Sequence, residues 1–359
     1  MSTPPLLPAW TAEAVDRFAR DVGARLRPDA YGPTLAVGAD ALPAGAFVAP
    51  LADLGLLNVA GEEAARFLHG QLTNDVEHLD PGTARWAGYC TAKGRLLSTF
   101  RYWRDDAAIL LTVARPLAQP LARRLSMYVL RAKAKVADAS DACVLFGLAG
   151  LPAAEAAAAA FGLPVPAAQA SASAGGVHLV GLPALPHEAG GPELARWLLA
   201  APAADAARAW AALTAAAAPV GAAAWRRTEV LAGIPRIVPG TSEQFVPQML
   251  NFESVDGVNF RKGCYPGQEI VARSQYLGKL KRRMFVAHGA GAEPAPGSDV
   301  TSDGGAEPCG QVVMAAPDGE GGFDVLFESQ VAAVEAGPVH AGDAVLAVGA
   351  LPYVLKAIE

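Results

Sequence analysis

Lys262-Gly263-Cys264-Tyr265-Pro266-Gly267-Gln268-Glu269 sets one thiol between a basic pair, Arg261 and Lys262, and a Pro-Gly turn. A helix is expected to start at Gln268. Cationic side chains favour a thiolate, and a helix N-terminus adds partial positive charge in the same direction. Gly263 and Gly267 allow turn conformations closed to other residues, so the sulfur is held at a tight bend. From these residues alone, a reactive thiol and a cysteine packed under a turn are equally good readings.

Upstream, Pro239 to Gly263 is a long loop-rich passage holding Gln244, Gln248 and Asn251, and loops of this length in compact domains are usually functional. Before it, Ala216 to Ala232 reads as a helix stopped by Gly233 and Pro235. Leu96, Ser98, Phe100 and Tyr102 alternate with Leu97, Thr99 and Arg101, and Asp105-Asp106 turns this strand back into Ala107 to Val113 as a hairpin. A helix from Pro116 to about Arg131 follows, with Leu117, Leu121 and Leu125 on one stripe. Further readings are an amphipathic helix from Thr11 to Leu26 capped by Thr11, a Pro/Gly/Ala-rich connection from Pro28 to Pro50, a strand at Leu54 to Val59 and a helix at Glu62 to Gln71. Strands at Cys143 to Leu148 and Val177 to Leu182 are followed by helices near Glu193 and Asp205.

After Lys279 helical patterning stops. Leu280 to His288, Gly310 to Ala315, Phe323 to Val334, Asp343 to Val348 and Tyr353 to Ile358 are strand-like runs between Gly/Pro/Asp turns, expected to form a small antiparallel barrel or sandwich. The domain reading is therefore an N-terminal helix and linker over 1–50, a main region over 51–278 and the barrel over 279–359. A chain of 359 residues exceeds one ordinary core, and 52 % apolar against 18 % charged residues excludes a disordered protein.

A formal net charge of −6 argues against a general nucleic-acid binder, although Lys279, Lys281, Arg282 and Arg283 form a local basic stripe. Met1 to Trp10 lacks a secretory pattern, and the Ala153 to Phe161 run is too short to span a bilayer and contains Glu155. A soluble, cytoplasmic protein without membrane partners is expected. Cys90, Cys143, Cys264 and Cys309 form no Cys-x-x-Cys pair and have no histidine at zinc-site spacing, so no resident metal is expected. A disulfide framework does not suit a cytosolic chain of this size. Cys90 and Cys143 sit in apolar strand-like runs as small hydrophobes, and Cys309 at a turn beside Glu307.

The run from Lys262 to Glu269, continued by Val271-Ala272-Arg273, resembles the signature of the YgfZ family of folate-binding proteins. Gly233-Ile234-Pro235, Phe245-Val246-Pro247-Gln248, Asn251, Gly70-Gln71-Leu72-Thr73-Asn74-Asp75-Val76 and Ala92-Lys93-Gly94-Arg95 fit the same family, and the likeness spans about Leu51 to Arg283. The resemblance implies an α+β fold shared with the aminomethyltransferase T protein of glycine cleavage: two intertwined folate-binding α+β domains followed by a small C-terminal antiparallel β-barrel. It also implies a tetrahydrofolate cofactor and a role in assembling or repairing iron–sulfur proteins, including those that methylthiolate tRNA. Iron–sulfur proteins or cluster-assembly factors would be the partners, without sequence-specific nucleic-acid binding. Cys264 and Lys262 take the family's functional thiol and its preceding lysine. Trp225, Glu229, Arg273, Gln248 and Tyr265 are the expected folate contacts. Leu54 stands where the family carries an earlier folate-associated tryptophan, and Leu231 where many relatives have Glu, with Glu229 two residues before it. Arg226 and Arg227 are suited to a folate glutamate tail.

A genuine aminomethyltransferase is the rival reading. Its relatives carry an Asp where this chain has Gly94-Arg95-Leu96-Leu97-Ser98-Thr99, which ends in hydroxyls. That counts against the transferase. A non-catalytic folate-binding scaffold is the other alternative. For the thiol itself three jobs stay open: transient cluster or metal ligation, nucleophilic capture, and disulfide exchange. One cysteine supplies one ligand, so cluster binding would need a partner.

Overall fold

The structure, a computed structural model, describes residues 13–186, 193–276, 280–303 and 307–356. Thr11 and Lys279, singled out above, lie outside them.

Strict side-chain alternation builds two sheets that share one core. In the strand Phe47–Pro50, Phe47 and Ala49 face one side and Val48 the other; in Leu54–Ala60, Leu54 and Leu56 oppose Leu57 and Val59. The chain leaves the first strand after Pro50 and builds a five-stranded antiparallel sheet in the order Ala84–Cys90, Leu96–Arg104, Ala108–Ala114, Leu54–Ala60, Lys135–Asp138. It then returns at Cys143–Ala149 to a six-stranded sheet ordered Ser171–Ala174, Val177–Leu185, Leu194–Pro202, Cys143–Ala149, Phe47–Pro50, Ala218–Pro219. The two sheets are intertwined because one strand of the second precedes all of the first. Their facing sides close over Phe47, Leu56, Trp103, Leu110, Leu145 and Trp225. The Ala-rich helix Leu151–Phe161 and helices Glu13–Asp21 and Ala206–Thr214 cover the outer face of the larger sheet, and Ala64–His69 and Arg115–Val129 that of the smaller.

Seven short strands from Arg282–Ala290 to Ala347–Val348 form the C-terminal antiparallel barrel, nearly closed. The helix Ala222–Leu231 is wedged between it and the sheets. Arg226 donates to the Ala315 carbonyl (2.9 Å), pairs with Asp29 and Glu293, and lies 3.9 Å over the Tyr31 ring; Arg227 pairs with Asp324 at 2.6 Å. Both arginines bolt the helix to its surroundings.

Five local expectations are corrected. The segment near Glu193 is the strand Leu194–Pro202, paired on both sides, so sheet context overrides its Ala/Leu helix propensity. The helix expected from Ala216 starts at Ala222, because Ala218–Pro219 adds a parallel edge to Phe47–Val48. Phe323 to Val334 divides into the strand Gly322–Gln330 and the helix Val331–Ala336, and Tyr353 to Lys356 is not a strand. Pro28 to Pro50 also contains strand Phe47–Pro50. No helix among the described residues is long and apolar enough to cross a membrane.

Candidate functional site

A cavity of about 820 Å³ opens where the smaller sheet meets the loop running into the signature. Arg85 and Trp86 reach it from strand Ala84–Cys90 and Arg101 from Leu96–Arg104; Asn259, Phe260 and Arg261 close the opposite side, with Gln275 and Tyr276 from the helix Gln268–Tyr276. Trp86 and Arg101 also border a narrow inner recess lined by Leu54, Thr99, Glu229 and Arg236.

Backbone-to-side-chain bonds make this wall rigid. Thr73 accepts the Gly88 N–H and donates to the Gly257 carbonyl (2.7 and 2.6 Å), and Asn74 Nδ2 donates to the Trp86 and Asp256 carbonyls (2.7 and 2.6 Å). The Gly70–Val76 motif thus ties the aromatic strand to the loop that carries the thiol. Gln248, fully buried, donates to the Val271 carbonyl at 2.7 Å and anchors the signature helix from below. Arg283 binds the Gln248 carbonyl, Asn251 and Glu253, pinning the same loop to the barrel.

The cavity is electropositive and partly unsatisfied. Arg101 is buried, donates to the Gly181 carbonyl at 3.2 Å and stacks over the Trp86 ring at 5.1 Å. Burial pulls its pKa down to about 9. Trp86 Nε1, Arg101 Nε, Gln275 Oε1 and Glu253 Oε2 are buried with no partner, an uncommon concentration of unmet polar groups. In the recess, Arg236 bridges Asp53 (2.6 Å) and Glu229 (2.8 Å). Burial raises the Glu229 carboxyl's pKa against the pull of Arg236. A flat conjugated ring with hydrogen-bonding edges and an anionic tail fits this set: indole and guanidinium for the ring, Glu229 at the closed end, Arg85 and Arg261 toward the mouth.

Beyond Arg261 the chain turns. Lys262 points inward, its Nζ donating to the His69 and Leu72 carbonyls (2.8 Å to Leu72) and lying 4.8 Å from the centre of the Tyr265 ring. Burial pulls its pKa down to about 8, opposed by Asp75 and Cys264. Cys264 is exposed, whereas Cys90 and Cys309 are buried and Cys143 half-buried. Burial raises Cys90 and Cys143 to about 12, which keeps them as inert thiols.

Of the residues singled out from sequence, Glu229 and Leu54 line the recess and Cys264 is on the surface of the adjoining loop. Trp225 is only 1 % exposed, packed in the core between the sheets, and lines neither chamber. Gln248 and Tyr265 are buried supports of the loop, Arg273 is exposed on the signature helix, and none of the three lines either chamber. Leu231, partly buried, packs near Trp86. Trp86, Arg85 and Arg101 had not been singled out as site residues. The available signal was Arg101, a charge sharing a strand face with Leu97 and Thr99. Thr99 itself is occupied by backbone, donating to the Pro235 carbonyl and accepting the Ile237 N–H.

These features define a protein of the glycine-cleavage T-protein fold with an arginine- and tryptophan-lined cavity beside an exposed thiol. Among solved structures, the glycine cleavage system aminomethyltransferase T from Bartonella henselae superposes with a TM-score of 0.72 over 96 % of this chain and 99 % of that one, at 18 % identity. Among curated proteins, the tRNA-modifying protein YgfZ of Edwardsiella ictaluri is 34 % identical over 241 residues, covering 67 % of this chain and 70 % of that protein. The YgfZ of Klebsiella pneumoniae is 32 % identical over 70 % of this chain and 74 % of its own length. No family model matches. The chain belongs to the YgfZ family.

Proposed function

We propose that this protein holds a folate in the cavity at Trp86 and Arg101 and supports the assembly or repair of iron–sulfur enzymes, tRNA-methylthiolating ones among them, through the Cys264 thiol. The observation that carries this reading is the continuity of Asn259, Phe260 and Arg261, which line the cavity, with the exposed Cys264 three residues further on. Membership of a family named for tRNA modification supports it. The ring system would stack on the open face of Trp86, whose other face Arg101 covers, Glu229 would meet its polar edge, and Arg85 and Arg261 would neutralise the glutamate. A bound tetrahydrofolate supplies one-carbon carriage. The thiol, outside the cavity, faces a protein partner and gives it a single sulfur ligand or nucleophile.

Aminomethyl transfer fits less well, because Thr99 offers the recess a hydroxyl already engaged by backbone where the transferases carry a carboxylate. A scaffold role gains support from Lys262, whose ammonium grips carbonyls and so acts on loop structure.

The test is complementation of cells lacking the endogenous homologue with wild type and Cys264→Ala, scored on a methylthiolated tRNA base and a cluster-dependent enzyme. Wild type rescues and the variant does not. Full rescue by Cys264→Ala would leave the scaffold reading. Purified protein is expected to show no glycine-dependent aminomethyl transfer; robust turnover would restore the transferase.

A further inference from the structure

The turn after helix Ala64–His69 gathers two imidazoles on one carboxylate. His69 ends that helix, and Asp75 and His78 lie in the connection that follows. His69 Nδ1 is 3.0 Å from Asp75 Oδ1, and His78 Nδ1 is 3.0 and 3.2 Å from the two Asp75 oxygens. One donor atom from each residue lies within 4.8 Å of the other two.

We propose that His69, Asp75 and His78 bind one first-row divalent transition-metal ion at the edge of the Cys264 loop. This goes beyond the folate reading and does not rest on it. Metal–nitrogen and metal–oxygen bonds of about 2.0–2.2 Å set neighbouring ligand atoms roughly 3 Å apart, the spacing of each imidazole nitrogen from the Asp75 carboxylate, while the set as a whole lies within 4.8 Å. Two imidazoles and one carboxylate suit zinc, iron(II), cobalt(II) or nickel(II); calcium and magnesium prefer all-oxygen sets.

The surrounding bonds preorganise this set. The Asp75 carboxylate accepts the His78 backbone N–H at 3.0 Å, and the Asp75 carbonyl accepts the Tyr102 hydroxyl at 2.7 Å. Lys262 fixes the His69 and Leu72 carbonyls beneath the turn. His69 and Asp75 are largely buried, with side-chain exposures of 14 % and 17 %, while His78 is 76 % exposed. Ion entry and open coordination positions therefore lie on the solvent side. The neighbour on the protein side is the signature loop: a Cβ at Gly263 would stand 3.7 Å from His69 Nε2. The proposal departs from the expectation of no resident metal, which rests on the spacing of histidines around the cysteines.

The full-length protein, stripped with chelator and dialysed, is titrated with cobalt(II) and followed by its visible d–d absorption, with zinc as competitor. One equivalent is expected to bind. His69→Ala and His78→Ala are each expected to weaken binding by about tenfold or more. His78 is exposed, so its variant tests the site without threatening the fold, and its tetrahydrofolate affinity is expected to equal wild type. Cys264→Ser keeps the d–d spectrum. Failure of the wild type to bind one equivalent, or wild-type affinity in both histidine variants, would overturn the proposal and leave Asp75 as a hydrogen-bond acceptor only. So would loss of binding in Cys264→Ser with both histidine variants intact.

Discussion

Gly94 and Gly267 meet back to back: a Cβ on Gly267 would lie 2.6 Å from the Gly94 Cα and 2.3 Å from the Thr91 carbonyl oxygen. Both residues have positive φ, +72° and +80°. The Ala92–Arg95 turn and the signature turn are therefore two halves of one contact, and each requires glycine for conformation and for space. Gly267→Ala is expected to cost about 1–3 kcal/mol from strain and steric overlap combined. Urea unfolding measures it. The same variant is expected to lose complementing activity with Cys264 intact, and wild-type stability would show that the turn can open without penalty.

Trp225 and Gly147 form a second close pair, with a Gly147 Cβ placed 2.3 Å from the indole. The ring fills the gap that a glycine leaves in the centre of the strand Cys143–Ala149. Trp225→Ala is expected to cost about 3–5 kcal/mol, the range for buried large aromatics, and Gly147→Ala about 1–3 kcal/mol by overpacking. Tetrahydrofolate affinity of the folded fraction is expected to stay at the wild-type value in Trp225→Ala. A selective loss of affinity with unchanged stability would return this tryptophan to the ligand.

What the sequence made legible follows from physical range. The hairpin at Asp105-Asp106 and the β-rich C-terminus rest on local alternation and turn residues, and both stand. The strand Leu194–Pro202 was hidden because its Ala/Leu composition favours helix and only its two flanking strands, far away in sequence, decide otherwise. The thiol loop was readable as a basic, glycine-framed turn. The inward course of Lys262 was not, because its acceptors are the carbonyls of His69 and Leu72, about 190 residues upstream. Trp86 was missed for the same reason: its cavity is assembled from strands and a loop that only the fold brings together. His69, Asp75 and His78 are close in sequence, but their convergence depends on how the turn is folded.

Trp86 carries the next prediction. Its indole borders both chambers, and Leu54 offers the recess only apolar contact. Most ring stacking should therefore fall on Trp86 together with Arg101. Trp86→Ala is expected to weaken tetrahydrofolate binding about tenfold, equivalent to roughly 1.4 kcal/mol of lost aromatic and cation–π contact. Titration calorimetry on wild type and variant measures the ratio, and unchanged affinity would move the folate out of this cavity.

Lys262 gives a pH signature of opposite sign to an exposed, ion-paired lysine. Its ammonium is buried against two carbonyls and the Tyr265 ring, and burial lowers its pKa from 10.5 to about 8. Below about pH 8 the folded and unfolded chains both hold the proton, and the folded state bears the whole desolvation penalty. Between about 8 and 10.5 the folded chain has released the proton while the unfolded chain still holds it, so this group's contribution to stability rises with pH and is complete above that window. Lys262→Met removes the titration while leaving the two carbonyls without a donor at every pH. The stability difference, wild type minus variant, is therefore expected to grow between about pH 7 and pH 9.5 in urea unfolding. A constant difference, or one that shrinks as pH rises, would mean that attraction from Asp75 and Cys264 outweighs burial at this ammonium.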